Sequence, residues 1–302
     1  MTEWPALPYE QWRQTRDTLH MYAQVVGKLR LALSPFEPQW AHVPLYVSAR
    51  GLTTSPLPVG PRAIDVELDL VGHELVIRAT DGAVARRQLG GAVADFYADV
   101  MRMLRDMKVD VSINVKPQEV SDPIPFPDDH THDTYVPEHA ARFFHVLSRV
   151  DTAMKRHRAS FRGKTTPVQF FWGTFDLALA RYSGRAVQAP PGAGLLRRVS
   201  GDAEQICAGW WPGDQRVPYA AFFAYAYPAP AGIENVKVRP RQAEWSDSSG
   251  EFLLAYDAVR TSPDPDAAIF EFLESTYGEA ARLLDWSPEL TGATAPVSEV
   301  RT

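Results

Sequence analysis

The sequence predicts an α+β protein in which antiparallel sheets are covered by helices. Segments with helical periodicity begin and end each half of the chain, and the runs between them have the composition of strands. Strands that follow one another without helices between them argue against a doubly wound parallel sheet. A weak internal repeat predicts two similar halves, each ordered as helix, antiparallel strands and helix, and related by a pseudo-two-fold axis.

Four segments show the three- and four-residue spacing of apolar residues that marks an amphipathic helix. These segments are 9–34, 92–107, 138–158 and 265–284. Pro35 ends the first because proline cannot continue a helix. Asp264 stands where the last helix needs an N-cap.

Strand patterns occupy much of the remaining chain. Residues 63–70 alternate between apolar side chains and the acidic side chains of Asp65, Glu67 and Asp69, which predicts a half-solvated antiparallel strand. The stretch 166–184 is the longest apolar and aromatic run, and it carries one carboxylate, Asp176. Further strands are expected at 42–51, 74–79, 109–115, 219–227, 234–239 and 252–256.

The internal repeat aligns residues 20–25 with residues 145–150, and each helix leads to a phenylalanine, Phe36 or Phe161, at the same distance. Both halves then enter an apolar strand after a proline and close with a helix. The predicted organisation is a first half at 1–116, a histidine-bearing connecting loop at 117–137, a second half at 138–286 and a frayed tail at 287–302.

Composition excludes several classes of function. The net charge of −6 and the scattered Lys and Arg residues give no basic footprint, so no nucleic-acid partner is expected. No signal-peptide pattern or apolar run of ~20 residues is present, so we expect a cytoplasmic protein with no membrane partner. The single cysteine, Cys207, excludes an internal disulfide, and its apolar context predicts a buried, unreactive thiol. The oligomeric state is left open.

A family resemblance covers nearly the whole chain. It is carried by the motifs WPALP (4–8), LHM (19–21), VGKLRL (26–31), VPLYV (43–47), RGLTTSP (50–56), FFWGTFDL (170–177) and STY (275–277). In these motifs the chain resembles a bacterial family of domain-of-unknown-function proteins of about this length. The resemblance implies no activity. In that family the residue before Phe170 is often histidine, whereas this chain has Gln169, so no metal ligand is expected there.

The connecting loop contains a candidate metal site. His130 and His132 are two residues apart among acidic neighbours, and imidazole with carboxylate ligands suits a divalent ion such as iron, manganese or zinc. A third ligand would come from elsewhere in the chain, and no spacing selects it. The alternative is a solvated turn with incidental histidines.

A second candidate is a polar stripe on the first helix. His20, Gln24 and Lys28 recur at four-residue spacing, and the repeat places His145, Arg149 and Thr152 at corresponding positions of the third helix. We expect the two stripes to face a shared cleft, where His20 acts as acid or base and Lys28 or Arg149 binds an anion. The alternative is a pair of solvent-facing or interhelix-bonded stripes.

The third candidate is Asp176. If the strand alternates from Phe170, then Trp172, Thr174 and Asp176 point to one face, and a buried carboxylate there requires a cation or hydrogen-bond donors. The repeat aligns Trp172-Gly173 with Arg50-Gly51, which predicts that Asp176 faces Arg50. Such a pair either joins the two halves or binds a ligand between them.

The sequence therefore predicts a small-molecule-binding protein with an aromatic-lined pocket between its halves. If it is an enzyme, His20, His132 and Asp176 are the expected catalytic residues, and Gln24, Lys28, Arg50, Trp172 and Arg149 the expected ligand-binding residues. The alternative is a noncatalytic interaction module that binds a protein partner through exposed Trp and Tyr side chains. Whether the protein is an enzyme stays open.

Overall fold

The structure is a computed structural model that describes residues 3–189 and 191–291. Within these residues it contains helices and two antiparallel sheets, which confirms the predicted α+β class. The helices are α1 Tyr9–Leu33, α2 Val93–Asp106, α3 Pro137–Ala159, α4 Leu195–Ser200, α5 Tyr256–Arg260 and α6 Pro265–Leu283. Asp264 caps α6 as predicted, because its Oδ1 accepts the Ala267 N–H at 2.9 Å.

The first sheet is an antiparallel meander. Its strands are β1 Tyr46–Val47, β2 Gly51–Thr53, β3 Leu57–Val59, β4 Arg62–Asp69, β5 Glu74–Ala79 and β6 Val84–Gln88. The order is β1-β2-β4-β5-β6, and β3 pairs with β4. The apolar side chains of β4 are buried as predicted, but Glu67 and Asp69 on its other face are buried too, so this strand is less solvated than its alternation suggests.

The second sheet contains the longer strands, and α3 and α6 pack against its inner face. Its strands are β7 Gln169–Phe171, β8 Asp176–Ala186, β9 Ala203–Trp211, β10 Ala221–Tyr227, β11 Glu244–Ser246 and β12 Glu251–Ala255. They are ordered β11-β12-β10-β9-β8-β7. Leu177, Trp210 and Phe222 point inward and are fully buried. Because side chains alternate along a strand, Asp176 and Cys207 lie on the opposite, outer face.

The two sheets meet at the first strand of each. The Leu45 N–H donates to Phe170 O at 2.9 Å and the Phe170 N–H donates to Leu45 O at 2.8 Å, so one antiparallel bridge joins the sheets. Each half runs from a helix through a tight first hairpin to further antiparallel strands and a closing helix. The duplication and its pseudo-two-fold axis stay predictions.

The stretch 166–184 forms a hairpin rather than one alternating strand. β7 ends at Phe171, residues 172–175 turn, and β8 begins at Asp176. Phe175 has a φ of 64°, in the left-handed region that a continuous strand never enters. The expectation that Phe170, Trp172 and Asp176 share one strand face is therefore wrong, because the turn intervenes.

Several boundaries also differ from the expectations. Residues 109–115 and 234–239 form no strand, whereas β6 and β9 were not anticipated. The tail predicted from Ser287 begins with a helical turn at Pro288–Leu290, whose Leu290 O accepts the Arg162 N–H at 2.8 Å. Residues 292–302 lie outside the described residues.

Candidate functional site

His20 binds the backbone of the turn between β7 and β8. Its Nε2 lies 3.0 Å from Trp172 O and 2.9 Å from Gly173 O, so Nε2 carries the ring proton and donates to these carbonyls. The ring is buried, with its centroid 4.9 Å from that of Phe175. Burial, reinforced by the charge of Arg16, lowers the pKa of His20 to about 3. At neutral pH His20 is an uncharged group that holds the turn.

Gln24 and Lys28 continue this stripe along α1 and bind the segment 116–119. Gln24 Oε1 accepts the Gln118 N–H at 3.0 Å, and Gln24 Nε2 donates to Gln118 O at 2.7 Å. Lys28 Nζ donates to Lys116 O at 2.9 Å, and burial lowers the pKa of Lys28 to about 8. The stripe thus supplies backbone hydrogen bonds to a segment that has no secondary structure of its own.

Trp172 attaches the same turn to α1. Its ring lies where a Cβ on Gly27 would be, with the nearest ring carbon 2.2 Å from that position. Its Nε1 donates to Val43 O at 3.0 Å, and the residue is only 3% exposed. Trp172 is therefore a packing residue, with little surface left for a ligand.

Arg50 does not face Asp176, so the pair predicted from the repeat is wrong. Arg50 Nε instead donates to Asp69 Oδ2 across the first sheet. Asp69 also accepts the Val71 and Gly72 N–H groups at 2.9 and 2.6 Å. These bonds lower the pKa of Asp69 despite burial, which opposes them. The repeat could not anticipate this ion pair because it lies within one half.

Arg149 points away from the stripe of α1. Its Nη1 lies 2.9 Å from Glu3 Oε1, its Nη2 lies 3.3 Å from Asp266 Oδ2, and its guanidinium lies over the Trp4 ring at 4.6 Å. His145 binds the same N-terminal arm, through its Nε2 at 3.1 Å from the carbonyl oxygen of residue 3. The structure therefore does not bring the two stripes into one cleft.

His130 and His132 do not converge. His132 Nδ1 lies 2.8 Å from Asp129 Oδ2, whose carboxylate is fully buried, and this bond raises the pKa of His132. His130 is exposed. Within residues 3–189 and 191–291, no three His, Cys, Asp or Glu side chains are grouped closely enough to hold a metal ion. Metal binding at these histidines stays a prediction.

Asp176 is a buried carboxylate without a cationic partner. It is 9% exposed, and within the described chain it forms no ion pair; the Thr174 hydroxyl donates to its Oδ1. Arg50, the partner predicted from the repeat, pairs with Asp69, and Lys164 Nζ donates to Gln39 Oε1 instead. Burial raises the pKa of Asp176 to about 7, and the nearby carboxylates of Glu119 and Glu251 add to this rise.

The outer face of the second sheet surrounds Asp176 with groups that the sequence did not single out as a site. Cys207 pairs with Ala180 on one side and with Tyr225 on the other. The Tyr225 hydroxyl bonds the Cys207 thiol, and burial raises the pKa of Cys207 to about 12, which matches the expected unreactive thiol. Glu251 lies on this same face, since it is two residues from Leu253.

Glu119 reaches this cluster from the connecting loop. Its Oε2 lies 2.1 Å from the position that a Cβ on Gly173 would take, so a larger residue at position 173 would displace the Glu119 carboxylate. Glu119 has a φ of 58°, a conformation that nonglycine residues seldom adopt. We call Asp176, Glu119 and Glu251 the carboxylate cluster. The alternation of Phe223, Tyr225 and Tyr227 was the one sequence signal for this face.

Two surface clefts lie elsewhere. One lies beside α6 at Arg239, Phe270 and Glu274, and the other lies beside the start of α1 at Arg13 and His139. Neither is lined by a predicted site residue, and the expected pocket between the halves is not one of them. No helix in the described part of the chain has both the length and the apolar character needed to span a membrane.

Comparison with known proteins gives a family but no activity. No curated protein and no solved structure matches this chain significantly. The model of one family, DUF5996, matches residues 4–292, which is nearly the whole chain. The resemblance inferred from the motifs is thereby confirmed, and the chain belongs to DUF5996, a family of unknown function.

Proposed function

We propose that this protein binds a small molecule on the outer face of the second sheet, beside Asp176. The observation that carries the proposal is a carboxylate that is nine-tenths buried and that forms no ion pair with any residue the structure describes. Burying an unpaired carboxylate costs several kcal/mol, and folds retain such groups chiefly at functional sites. A purely structural role would not explain why the fold retains a carboxylate with this desolvation cost.

The surroundings of Asp176 suit a ligand site. The neighbouring positions on β8 and β9 carry small residues, Ala178, Ala180 and Gly209, and the two alanines are 8% and 7% exposed. The Phe223 ring lies over Gly209, and it stacks on the Tyr225 ring at a centroid distance of 6.5 Å. Tyr225 is 37% exposed, so an aromatic wall stands beside the carboxylate cluster.

The polar stripe of α1 supports this site rather than forming it. His20 fixes the turn that precedes Asp176, while Gln24 and Lys28 fix the segment that carries Glu119. The two carboxylates are thus presented from backbone that is already bonded in place. Such preorganisation lowers the cost of ordering a site when a ligand arrives.

Acid or base catalysis would be the role of Asp176 if the bound molecule is transformed. A carboxyl group whose pKa is about 7 is present in both protonation states at neutral pH, which is the condition for efficient proton transfer. We propose in addition that the protein carrying this site is cytoplasmic and bacterial.

The test is a ligand screen by thermal shift with the wild-type chain, Asp176→Asn and the exposed control Asp110→Asn. Compounds that stabilise the wild type and the control, but not Asp176→Asn, are expected. Methyl spectra of labelled alanine should then show shifts at Ala178 and Ala180. Binding that persists unchanged in Asp176→Asn, or shifts confined to other alanines, would refute the proposal.

An interaction module remains the second candidate, and one surface feature favours it. Phe36 is 64% exposed at the end of α1, and it packs beside Trp40 and His42. Phe36 is the exposed ring of this group, since Trp40 is half-buried and His42 is buried, and exposed aromatic residues occur at protein interfaces. A Phe36→Ser substitution that abolishes association with a partner, while Asp176→Asn does not, would favour this function.

A further inference from the structure

We infer that the ligand of the outer-face site is an organic cation, such as a protonated amine. This inference rests on the proposed function and specifies the chemistry of the same site. The carboxylate cluster, the second oxygen of Asp176 and the stacked rings of Phe223 and Tyr225 carry it together.

The first step is the charge balance of the site. Asp176, Glu119 and Glu251 come from β8, the connecting loop and β12, and in the described chain none of them forms an ion pair. Thr174, Ser249, the Cys207 thiol and the Tyr225 hydroxyl also face them, and these groups are uncharged at neutral pH. The site therefore concentrates negative charge, and no ion pair within residues 3–189 and 191–291 offsets it.

The second step is the hydrogen bonding of Asp176. The Thr174 hydroxyl donates to Oδ1, and among the described residues no other side chain donates to this carboxylate. The side chain lies on the outer face of the sheet and is 91% buried, so Oδ2 is the oxygen left for a donor from a ligand bound on that face. Hydrogen bonds between an ammonium group and a carboxylate are among the strongest in proteins.

The third step is the aromatic wall. Phe223 and Tyr225 are nearly parallel, with an interplanar angle of 13°, and Tyr225 is exposed beside Glu251 and Cys207. The face of an aromatic ring attracts a cation, and the attraction grows where water is excluded. Carboxylates combined with aromatic rings recognise an organic ammonium group that carries its own apolar surface.

Protonation couples to this binding. A cation favours the ionised form of Asp176, whereas Glu119 and Glu251 favour the neutral form. Affinity should therefore rise with pH and level off above neutrality. Between pH 6 and pH 8 the expected gain is about tenfold, because the ionised fraction of a single group with a pKa near 7 rises about that much.

The experiment is calorimetric titration of the full chain with benzylamine, 1,4-diaminobutane and choline, with benzyl alcohol as the neutral counterpart of benzylamine. At least one cation should bind at pH 8, bind about tenfold more weakly at pH 6, and shift the alanine methyl signals of Ala178 and Ala180. Benzyl alcohol should not bind. Asp176→Asn and the milder variant Glu251→Gln should each weaken binding, whereas Asp110→Asn should not.

Two results overturn the inference and leave the proposed function standing. One is that benzyl alcohol binds at Ala178 and Ala180 as well as benzylamine does. The other is that Mg²⁺ or Ca²⁺ alone binds there and no organic cation does. If no probe or screened compound perturbs these alanines, the inference and the proposed function both fail.

Discussion

His20 on α1 and Gly173 in the β7–β8 turn are joined by a hydrogen bond of 2.9 Å between Nε2 and the carbonyl oxygen. This bond links the first half of the chain to the strand that presents Asp176. It also gives this histidine a structural role. The ring proton is committed to the backbone, and burial keeps the imidazole neutral.

Asp176→Asn should stabilise the protein. The pKa of Asp176 is higher in the folded state, at about 7, than its ordinary value of 3.8, so the folded state binds the proton more tightly. The free energy of unfolding contributed by this group falls as pH rises from about 4 to about 7 and is constant above. Asparagine does not titrate, so the free energy of unfolding of the variant should exceed that of wild type by up to about 4 kcal/mol at pH 8.

Urea denaturation of wild type and Asp176→Asn at pH 5 and pH 8 measures this gain. Asp110→Asn is the control and should change neither value. A lower free energy of unfolding for Asp176→Asn at pH 8 would contradict the prediction and would indicate that the ionised carboxylate stabilises the fold.

His20→Gln should remove a pH dependence of stability that is opposite in sign to the one contributed by Asp176. The pKa of His20 is lowered to about 3 in the folded state, so the unfolded chain takes up a proton as pH falls below 6.5. Wild type therefore loses stability on acidification, by about 1.4 kcal/mol for each pH unit between 6.5 and 3. Glutamine keeps an N–H donor and does not titrate. The unfolding free energy of His20→Gln should therefore fall less than that of wild type between pH 7 and pH 5.5.

His20→Ala is the companion variant. It removes the donor of the buried Trp172 carbonyl and leaves the Gly173 carbonyl with Gln24 Nε2 at 3.5 Å, so it should lose roughly 2–4 kcal/mol at pH 7. Equal stability of His20→Ala and wild type would show that the bond to the turn contributes nothing.

Gly27→Ala should be strongly destabilising. A Cβ at this position would lie 2.2 Å from the Trp172 ring, so the ring or the helix must move, at a cost of several kcal/mol. The matched control is Gly278→Ala in α6, where a Cβ meets no atom within 4 Å. Because alanine favours a helix over glycine, that variant should gain about 0.5–1 kcal/mol. Thermal unfolding of both variants tests the pair, and similar losses in both would contradict it.

His132→Ala should lose more stability at pH 5.5 than at pH 8. The Asp129 carboxylate raises the pKa of His132 above its ordinary value of 6.5, so the stabilisation is complete below that value and is lost as pH rises through the folded pKa.

Elemental analysis of protein purified without a chelator or a histidine tag tests the metal alternative. Iron, manganese or zinc that is bound by wild type and lost from His132→Ala would show that this histidine is a ligand.

The helices were predictable because their signal is local. The apolar spacing of α1, α2, α3 and α6 lies within each segment, and the structure places all four within two residues of the expected bounds. The hairpin at 166–184 was not predictable, because its apolar residues continue through the turn without a break in pattern. The glycine of that turn, Gly173, was visible in the sequence, but its contact with the Glu119 side chain was not.

The sequence by itself determined the fold class, the family and the residues of the polar stripe on α1. Only the tertiary structure decided what those residues do, because hydrogen-bond partners depend on distances between segments far apart in the chain. Asp69 and Asp176 show the difference. Both are buried carboxylates in predicted strands, yet Asp69 meets Arg50 and two backbone N–H groups, whereas Asp176 meets one hydroxyl and other carboxylates. That contrast in partners gives one carboxylate a structural role and makes the other the candidate functional group.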